Sequence, residues 1–164
     1  MITKKSNNGE YESTATYSDC ENYRYILTRS WDKKLPNILF IGLNPSTATE
    51  EKNDPTVTRM IGFSKKWGFG RITVCNLFSF RATDPKDMKN QEDPIGEHND
   101  NLIKEELENA DLIVAAWGNH GTFKARGSEV SKYLDKYSYF GLTKAGEPKH
   151  VLYLKGDSEL LEKE

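Results

Sequence analysis

Three apolar runs constrain the fold of this chain most strongly. They are NILFIGL (37–43), RITVCNLF (71–78) and ADLIVAAWG (110–118). Each run is nearly continuous, which is typical of strands buried on both faces of a parallel sheet. Segments with apolar residues at helical spacing lie between them, over about 55–67 and 99–109. This alternation predicts an α/β fold with helices on both faces of the sheet.

Flanking segments extend the prediction. YRYILTRSW (23–31) has β-forming residues in partial alternation and predicts an antiparallel strand near an edge. A helix is expected over 126–137, a fourth strand over 138–143 and a short terminal helix over 157–163. We therefore predict a three-layer αβα fold whose central, mainly parallel sheet has about four strands, plus an N-terminal edge strand.

The boundaries of the first helix are marked by three residues. Asp54 is a favourable N-cap, and Pro55 follows at the first helical position, where its missing N–H costs nothing. Gly68 can end the helix.

The chain has 164 residues, which predicts a single domain over 1–164 with residues 1–16 flexible or peripheral. No apolar run is long enough to span a membrane, and the N-terminal residues show no apolar signal segment. Cys20 and Cys75 form no CxxC pair, and Cys75 lies in an apolar run, as expected for a reduced core thiol. We expect a cytoplasmic protein that makes no membrane contact.

The formal net charge is −2. Proteins that bind long DNA without sequence preference usually carry a strong basic excess. The charge therefore disfavours non-specific binding of long DNA and leaves three possibilities: the protein binds a small ligand such as a nucleotide or modified base, it makes a local DNA or RNA contact, or it binds no nucleic acid. The oligomeric state is left open.

Polar residues follow the predicted strands at their carboxyl ends, where open α/β sheets bind ligands. These segments are Asn44-Pro45-Ser46-Thr47, the segment Asn76 to Asp84, Trp117-Gly118-Asn119-His120, and Thr143 to His150. His120 and His150 lie in them, and His98 ends the long polar loop, 79–98, that begins in the second segment.

Each of these features has a structural and a functional interpretation. Asn44-Pro45-Ser46 can be a turn or part of a site. Asn76 interrupts an apolar run, so its amide either ties strand ends together or contacts a planar ligand. Arg81 either braces a loop or binds an anion. Asn119 and His120 lie between Gly118 and Gly121 after a strand, Trp117 directly precedes Gly118, and either role fits these three residues.

Several classes of protein are disfavoured by absent motifs. The sequence contains no P-loop, no GxGxxG after a strand and no GxSxG. Those absences argue against a kinase, a Rossmann dehydrogenase and an α/β-hydrolase. The three histidines are dispersed and there is no cysteine cluster, so we expect no metal and no cofactor.

Nearly the whole chain, from about residue 17 to 154, resembles a bacterial and phage family known only as domain of unknown function 1643. The motifs that carry this resemblance are FIGLNPSTATE, NDPTVTR, WGFGRITVCNLFSFRATDPKDM, DPIGEHND, VAAWGNHG and LTKAGEPKHVLYL. The family name implies no activity.

A weaker resemblance is to the uracil-DNA glycosylase superfamily. Its first motif matches Gly42-Leu43-Asn44-Pro45, its strand-two Asn matches Asn76, and its last motif is comparable to the segment from His150. The chain departs from that pattern at Ser46, at Val151, which stands where the superfamily has Pro, and in lacking the cysteines of an iron–sulfur cluster. The resemblance implies a glycosylase-like fold in which the first motif positions water, the Asn contacts the base edge, and the last motif contacts DNA and the leaving base.

The first functional hypothesis is a glycosylase-type hydrolase that acts on a nucleobase in DNA or in a nucleotide. Asn44 would position water, Asn76 would contact the base, and His120 or His150 would donate to the developing charge. The remaining candidates would bind the substrate by stacking, by phosphate contact or by lining the pocket: Phe78, Phe80, Trp117, Arg81, Pro45, Ser46 and Asn119.

The second hypothesis is a non-catalytic module that binds a nucleotide or nucleic acid, as a sensor or sequestering protein. The near-neutral charge favours it over repair of duplex DNA. A third is a structural or partner-binding domain whose polar loops only cap strands, which leaves the coincidence of Asn44, Asn76 and His120 at one sheet end unexplained.

Overall fold

The computed structural model describes residues 1–163, which form one eight-stranded mixed sheet with the strand order β1-β2-β3-β5-β4-β6-β7-β8. The strands are β1 (Ile2–Asn7), β2 (Glu12–Tyr17), β3 (Arg24–Ser30), β4 (Asn37–Gly42), β5 (Arg71–Asn76), β6 (Leu112–Ala115), β7 (Tyr137–Tyr139) and β8 (Leu161–Lys163).

The predicted fold class is wrong. Four strand pairings are antiparallel (β1 with β2, β2 with β3, β3 with β5, and β7 with β8). Three are parallel and join β5, β4, β6 and β7. A mixed sheet of eight strands does not fit a mainly parallel four-stranded sheet in a three-layer αβα fold.

The prediction failed at the sheet edges because the edge strands have almost no apolar pattern. β1 and β2 have the sequences ITKKSN and ESTATY, yet they form a hairpin that includes residues expected to be flexible or peripheral. The turn is the overlooked signal: Asn8 accepts hydrogen bonds from two backbone N–H groups, and Gly9 has φ +86°.

Two further expectations need correction. β3 is antiparallel to both neighbours but lies inside the sheet, between β2 and β5, because the hairpin covers its outer edge. Residues 157–163 do not form a helix. Leu161–Lys163 is instead an edge strand that pairs with β7.

The helices are α1 (Pro55–Lys66), α2 (Pro85–Lys89), α3 (Asn99–Asn109) and α4 (Arg126–Ser131), with a 3₁₀ segment over Asn119–Ala125. The expected start of α1 is confirmed, since the Asp54 side chain accepts a hydrogen bond from Val57 N–H and Pro55 is the first helical residue. Within residues 1–163, no helix has the length and apolarity needed to cross a bilayer.

Helices cover both faces of the central strands. Ile38 and Phe40 of β4 pack with Val57 and Met60 of α1, whereas the alternating residues Leu39 and Ile41 pack with the cluster containing apolar residues of α2, α3 and α4. Cys75 belongs to the second cluster; it is a buried free cysteine, as expected, and burial raises the pKa of its thiol.

Candidate functional site

A cleft of about 570 Å³ lies at the carboxyl ends of the parallel strands. The loop after β4, the loop before α2, the segment after β6 and the C-terminal segment supply its walls. The residues that line this cleft are Leu43, Asn44, Ser46, Thr47, Asp54, Pro55, Thr56, Ala82, Thr83, Pro85, Trp117, Gly118, Asn119, His120, His150, Leu152 and Tyr153.

A recess of about 30 Å³ adjoins the cleft on the face of the sheet covered by α1. The two spaces share Leu43, Asn44, Ser46, Asp54, Thr56 and His150 as lining residues. The recess is lined in addition by Arg24, Gly42, Pro45, Val57, Met60, Val74 and Asn76. Its volume is enough for about one water-sized group.

Asn76 is the last residue of β5, and its side chain is buried in the recess at 4% exposure. Its side-chain Nδ2 has no hydrogen-bond partner anywhere in residues 1–163. Gly42 is the residue paired with it on β4, and a Cβ at Gly42 would stand 2.8 Å from Asn76 Oδ1. The glycine therefore provides the room in which the buried amide fits.

Arg24 contributes a second buried donor. Its side chain is 2% exposed; Nη1 donates to the Ala48 carbonyl at 2.9 Å, and Nε has no partner within the described chain. Burial lowers the pKa of Arg24 to about 10, an effect that nearby Asp54 partly opposes. The guanidinium is therefore still a cation at neutral pH.

Asp54 fixes the loop after β4 against the start of α1. Oδ1 accepts from Val57 N–H at 2.9 Å, and Oδ2 accepts from Ala48 N–H at 3.2 Å. Its carboxylate thus places a negative charge beside the recess while satisfying two backbone donors.

Asn44 connects the two loops that form one wall of the cleft. Its Nδ2 donates to the Ala82 carbonyl at 2.8 Å and to the Pro45 carbonyl at 3.1 Å, and Ala82 N–H donates to Pro45. The two hydrogen bonds that Asn44 makes both use its amide nitrogen, so its amide oxygen is left for another partner. Ser46 continues the link through a 3.4 Å contact with the Thr83 hydroxyl.

The two cleft histidines both favour the neutral form. Burial lowers the pKa of His150, whose Nδ1 accepts from Leu152 N–H at 3.1 Å. The proton of neutral His150 is accordingly on Nε2. His120 lies exposed at the rim with Nδ1 2.9 Å from Lys89 Nζ, and its pKa is lowered by burial and by the lysine charge.

Trp117 is buried in the wall of the cleft, and its Nε1 donates to Glu147 Oε2 at 2.6 Å. The packing is close, since a Cβ at Gly121 would stand 2.2 Å from the indole. Asn119, the next predicted residue, is exposed at the start of the 3₁₀ segment.

Three predicted residues lie outside the cleft. Phe78 is buried against Phe123, with ring centroids 5.6 Å apart. Phe80 packs edge-on against Tyr23. The guanidinium of Arg81 lies over the Tyr17 ring and donates to the Glu21 carbonyl.

The structure thus brings together eight of the predicted site residues, namely Asn44, Pro45, Ser46, Asn76, Trp117, Asn119, His120 and His150. It adds Arg24, which sequence reasoning missed because it lies in an aromatic and β-branched strand that contributes no loop. The sequence did contain one signal for Arg24, because it is a charged residue inside the strand segment YRYIL. A buried charge is costly unless it is paired or hydrogen-bonded, so such a residue is a candidate for a specific interaction.

A different polar cluster lies on the opposite face of the sheet, and we call it the clamp: Asn99, Asp100, Arg126 and Glu129. Asn99 Nδ2 donates to the backbone carbonyls of Asn76 and Leu77, at 2.9 and 3.1 Å. Arg126 Nε donates to the Leu77 carbonyl at 2.9 Å, while its other nitrogens pair with Asp100 and Glu129. The clamp therefore holds the backbone at the end of β5.

Fold and site together define a mixed α/β protein with a ligand-sized cleft at the carboxyl ends of its parallel strands. The chain belongs to the family described as protein of unknown function DUF1643, whose model matches residues 24–152. The search of curated proteins found no match. The first family resemblance is confirmed, whereas the eight-stranded mixed sheet differs from the fold that the second resemblance implied.

Proposed function

We propose that this protein recognises a nucleobase or nucleotide in the cleft, with Asn76 contacting the edge of the base from the recess. The observation that carries the proposal is the buried Nδ2 of Asn76, which has no hydrogen-bond partner within residues 1–163.

An unpaired buried amide is costly. Leaving a buried donor without an acceptor costs about 1–3 kcal/mol, so native proteins pair nearly all such groups. An acceptor atom on a bound planar ligand would recover that cost. Gly42 leaves the room in which the Asn76 side chain lies, so a larger residue at position 42 would displace the amide.

The cleft has the size and composition of a small-ligand site. Its volume of about 570 Å³ lies within the range of about 300–1,000 Å³ typical of ligand pockets. Leu43, Leu152 and Tyr153 line it beside the polar groups. Tyr153 is 94% exposed, which leaves a ring free to stack on a base.

The charge of the site supports a base or nucleotide over a long nucleic acid. Net charge is −2, and both cleft histidines have pKa values lowered toward the neutral form. Recognition by hydrogen bonds and stacking needs no basic excess, whereas phosphate-driven binding of long DNA does.

The proposal is tested by thermal-shift measurements with a panel of bases, nucleosides and nucleoside monophosphates. A stabilising ligand should raise the melting temperature of the wild-type protein and lose this effect in Asn76→Ala. The matched control is Asn99→Ala, which removes an equally buried amide from the clamp and should retain the ligand response. If no base or nucleotide stabilises the wild-type protein, the proposal is wrong.

A second candidate function, hydrolysis of an N-glycosidic bond, is favoured by Asn44. Its amide nitrogen is used by two loop carbonyls, which fixes the side chain and leaves the oxygen available to a water molecule. In such a step water oxygen bonds to the sugar carbon, the carbon–nitrogen bond breaks, and the water proton ends on the departing base.

A product assay on the best ligand of the panel distinguishes catalysis from binding. If Asn44 positions water, Asn44→Ala should lower turnover more than affinity. Binding without any release of free base would leave recognition as the function.

A further inference from the structure

We infer that the recess is a two-donor site for one neutral carbonyl oxygen of the ligand, with Arg24 as the specificity-determining residue beside Asn76. This inference rests on the proposed function and names the class of base that the cleft takes. A base with an oxo substituent at the ring position that enters the recess fits the site, and a base with an amino group at that position does not.

The first argument is the chemistry of the unpaired atoms. Asn76 Nδ2 and Arg24 Nε are both N–H donors, both lie in side chains more than nine-tenths buried, and both lack a partner within residues 1–163. Both residues line the same recess. Two unpaired N–H donors in residues that line one recess call for an acceptor, and an amino group would bring further hydrogens to them.

The second argument is the size of the recess. About 30 Å³ accommodates one oxygen-sized group and not a whole phosphate or carboxylate. The rest of the ligand would lie in the adjoining cleft, which shares Asn44, Asp54 and His150 with the recess.

The third argument is the charge balance, which favours a neutral oxygen over an anionic one. The cationic Arg24 interacts favourably with Asp54, whose carboxylate lines both the recess and the cleft. An anionic group would meet the Asp54 carboxylate at close range. A carbonyl oxygen accepts from both donors without that repulsion.

The consequence is discrimination within matched pairs of ligands. Inosine and adenosine monophosphates differ in an oxo or amino group at the same ring carbon, and uridine and cytidine monophosphates differ in the same way. A site built to donate to an oxygen rejects the analogue that lacks it, because the buried donors are then left unpaired.

Calorimetric titration of the wild-type protein with both pairs tests the inference. We expect the oxo member of at least one pair to bind more than about tenfold tighter than its amino partner, which is about 1.4 kcal/mol. Inorganic phosphate serves as the anionic probe and should not displace the corresponding nucleoside, which has no phosphate of its own.

Arg24→Lys tests the assigned residue, since it keeps the positive charge beside Asp54 but removes the Nε–H donor. The oxo preference should fall by at least about threefold in this variant. Arg29→Lys is the matched control: Arg29 is an equally buried arginine of β3, but its donors bond to Asn53 and to the carbonyls of Thr28, Thr49 and Lys52. It should leave the preference unchanged.

The outcomes separate this inference from the proposed function. Equal or tighter binding of the amino nucleotides would overturn the inference and leave recognition of nucleotides standing. Displacement of the nucleoside by phosphate, or an oxo preference that survives Arg24→Lys, would also overturn it. Failure of all four nucleotides and their free bases to bind would overturn both.

Discussion

The recess and the clamp lie on opposite faces of the sheet at the end of the same strand, and they use their buried amides and guanidiniums in opposite ways. In the clamp, Asn99 donates to two carbonyls and Arg126 Nε donates to Leu77. In the recess, the corresponding atoms of Asn76 and Arg24 donate to no group within residues 1–163.

This difference gives a criterion that distinguishes a buried polar group with a structural role from a buried polar group that binds a ligand. A group whose donors bond to its own backbone stabilises the fold, and its removal lowers stability. A group whose donors are unpaired lowers the stability of the free protein, and its removal should weaken mainly the binding of the ligand. The clamp does have one unpaired atom in the described chain, Asn99 Oδ1, but this is an acceptor and Asn99 lies outside the residues that line the cleft and recess.

Arg126→Met should produce the largest effect on the free protein. It removes a fully buried guanidinium that bonds to the Leu77 carbonyl, Asp100 and Glu129. We expect the free energy of unfolding in urea to fall by about 2–4 kcal/mol. Glu129→Gln is the control, because this partner is about half exposed and its loss should cost less than about 1 kcal/mol. If the free energy of unfolding fell by a similar amount in both variants, the inference that buried donors stabilise the clamp would be wrong.

The variants Asn99→Ala and Asn76→Leu compare the contributions of the two amides to the stability of the free protein. Asn99→Ala should destabilise the free protein by about 1–3 kcal/mol, because the Asn76 carbonyl loses this donor and the Leu77 carbonyl keeps only the one from Arg126. Asn76→Leu preserves shape and removes an unpaired donor, so its free energy of unfolding should stay within about 1 kcal/mol of wild type. The comparison fails if Asn76→Leu proves the more destabilising of the two in chemical denaturation.

Gly42→Ala should weaken ligand binding through Asn76. The added Cβ would stand 2.8 Å from Asn76 Oδ1, so the amide must move within a packed recess, at a cost of about 1–3 kcal/mol. Calorimetry should show binding weakened by about tenfold. Gly62→Ala on α1 is the control, because its Cβ meets nothing within 4 Å and alanine favours the helix. Undiminished affinity in Gly42→Ala would place the ligand away from Asn76.

The smallest expected effect is a pH dependence that comes from His150. Burial holds the pKa of His150 in the folded protein below its value in the unfolded chain. As the pH falls below about 6.5, the unfolded chain therefore takes up the proton first, and stability declines. This part of the decline should disappear in His150→Gln when unfolding is compared between about pH 7 and about pH 5. His120→Gln measures the contribution of the second histidine, and an unchanged slope in His150→Gln would contradict the assignment.

The central elements could be predicted from the sequence because local patterns specify them. Continuous apolar runs identified β4 and β5, and Asp54-Pro55 gave the start of α1. The bounds predicted for α3, 99–109, are those of Asn99–Asn109. The polar residues at the carboxyl ends of strands pointed to Asn44, Asn76 and His150, which do line the cleft or recess.

The tertiary structure decided the rest, because it depends on pairings between distant segments. The strands β1, β2 and β8 are short or polar, and they form mainly through pairing with neighbouring strands. The number of strands and their mixed directions therefore could not be predicted from the periodicity of apolar residues. Arg81 and Phe80 looked like binding residues but face partners on other segments, Tyr17 and Tyr23. The sequence by itself determined that an amide would stand at the end of β5. Only the folded chain decided that Asn76 shares its recess with Arg24, because residues that are 52 positions apart meet there through the antiparallel pairing of β3 with β5.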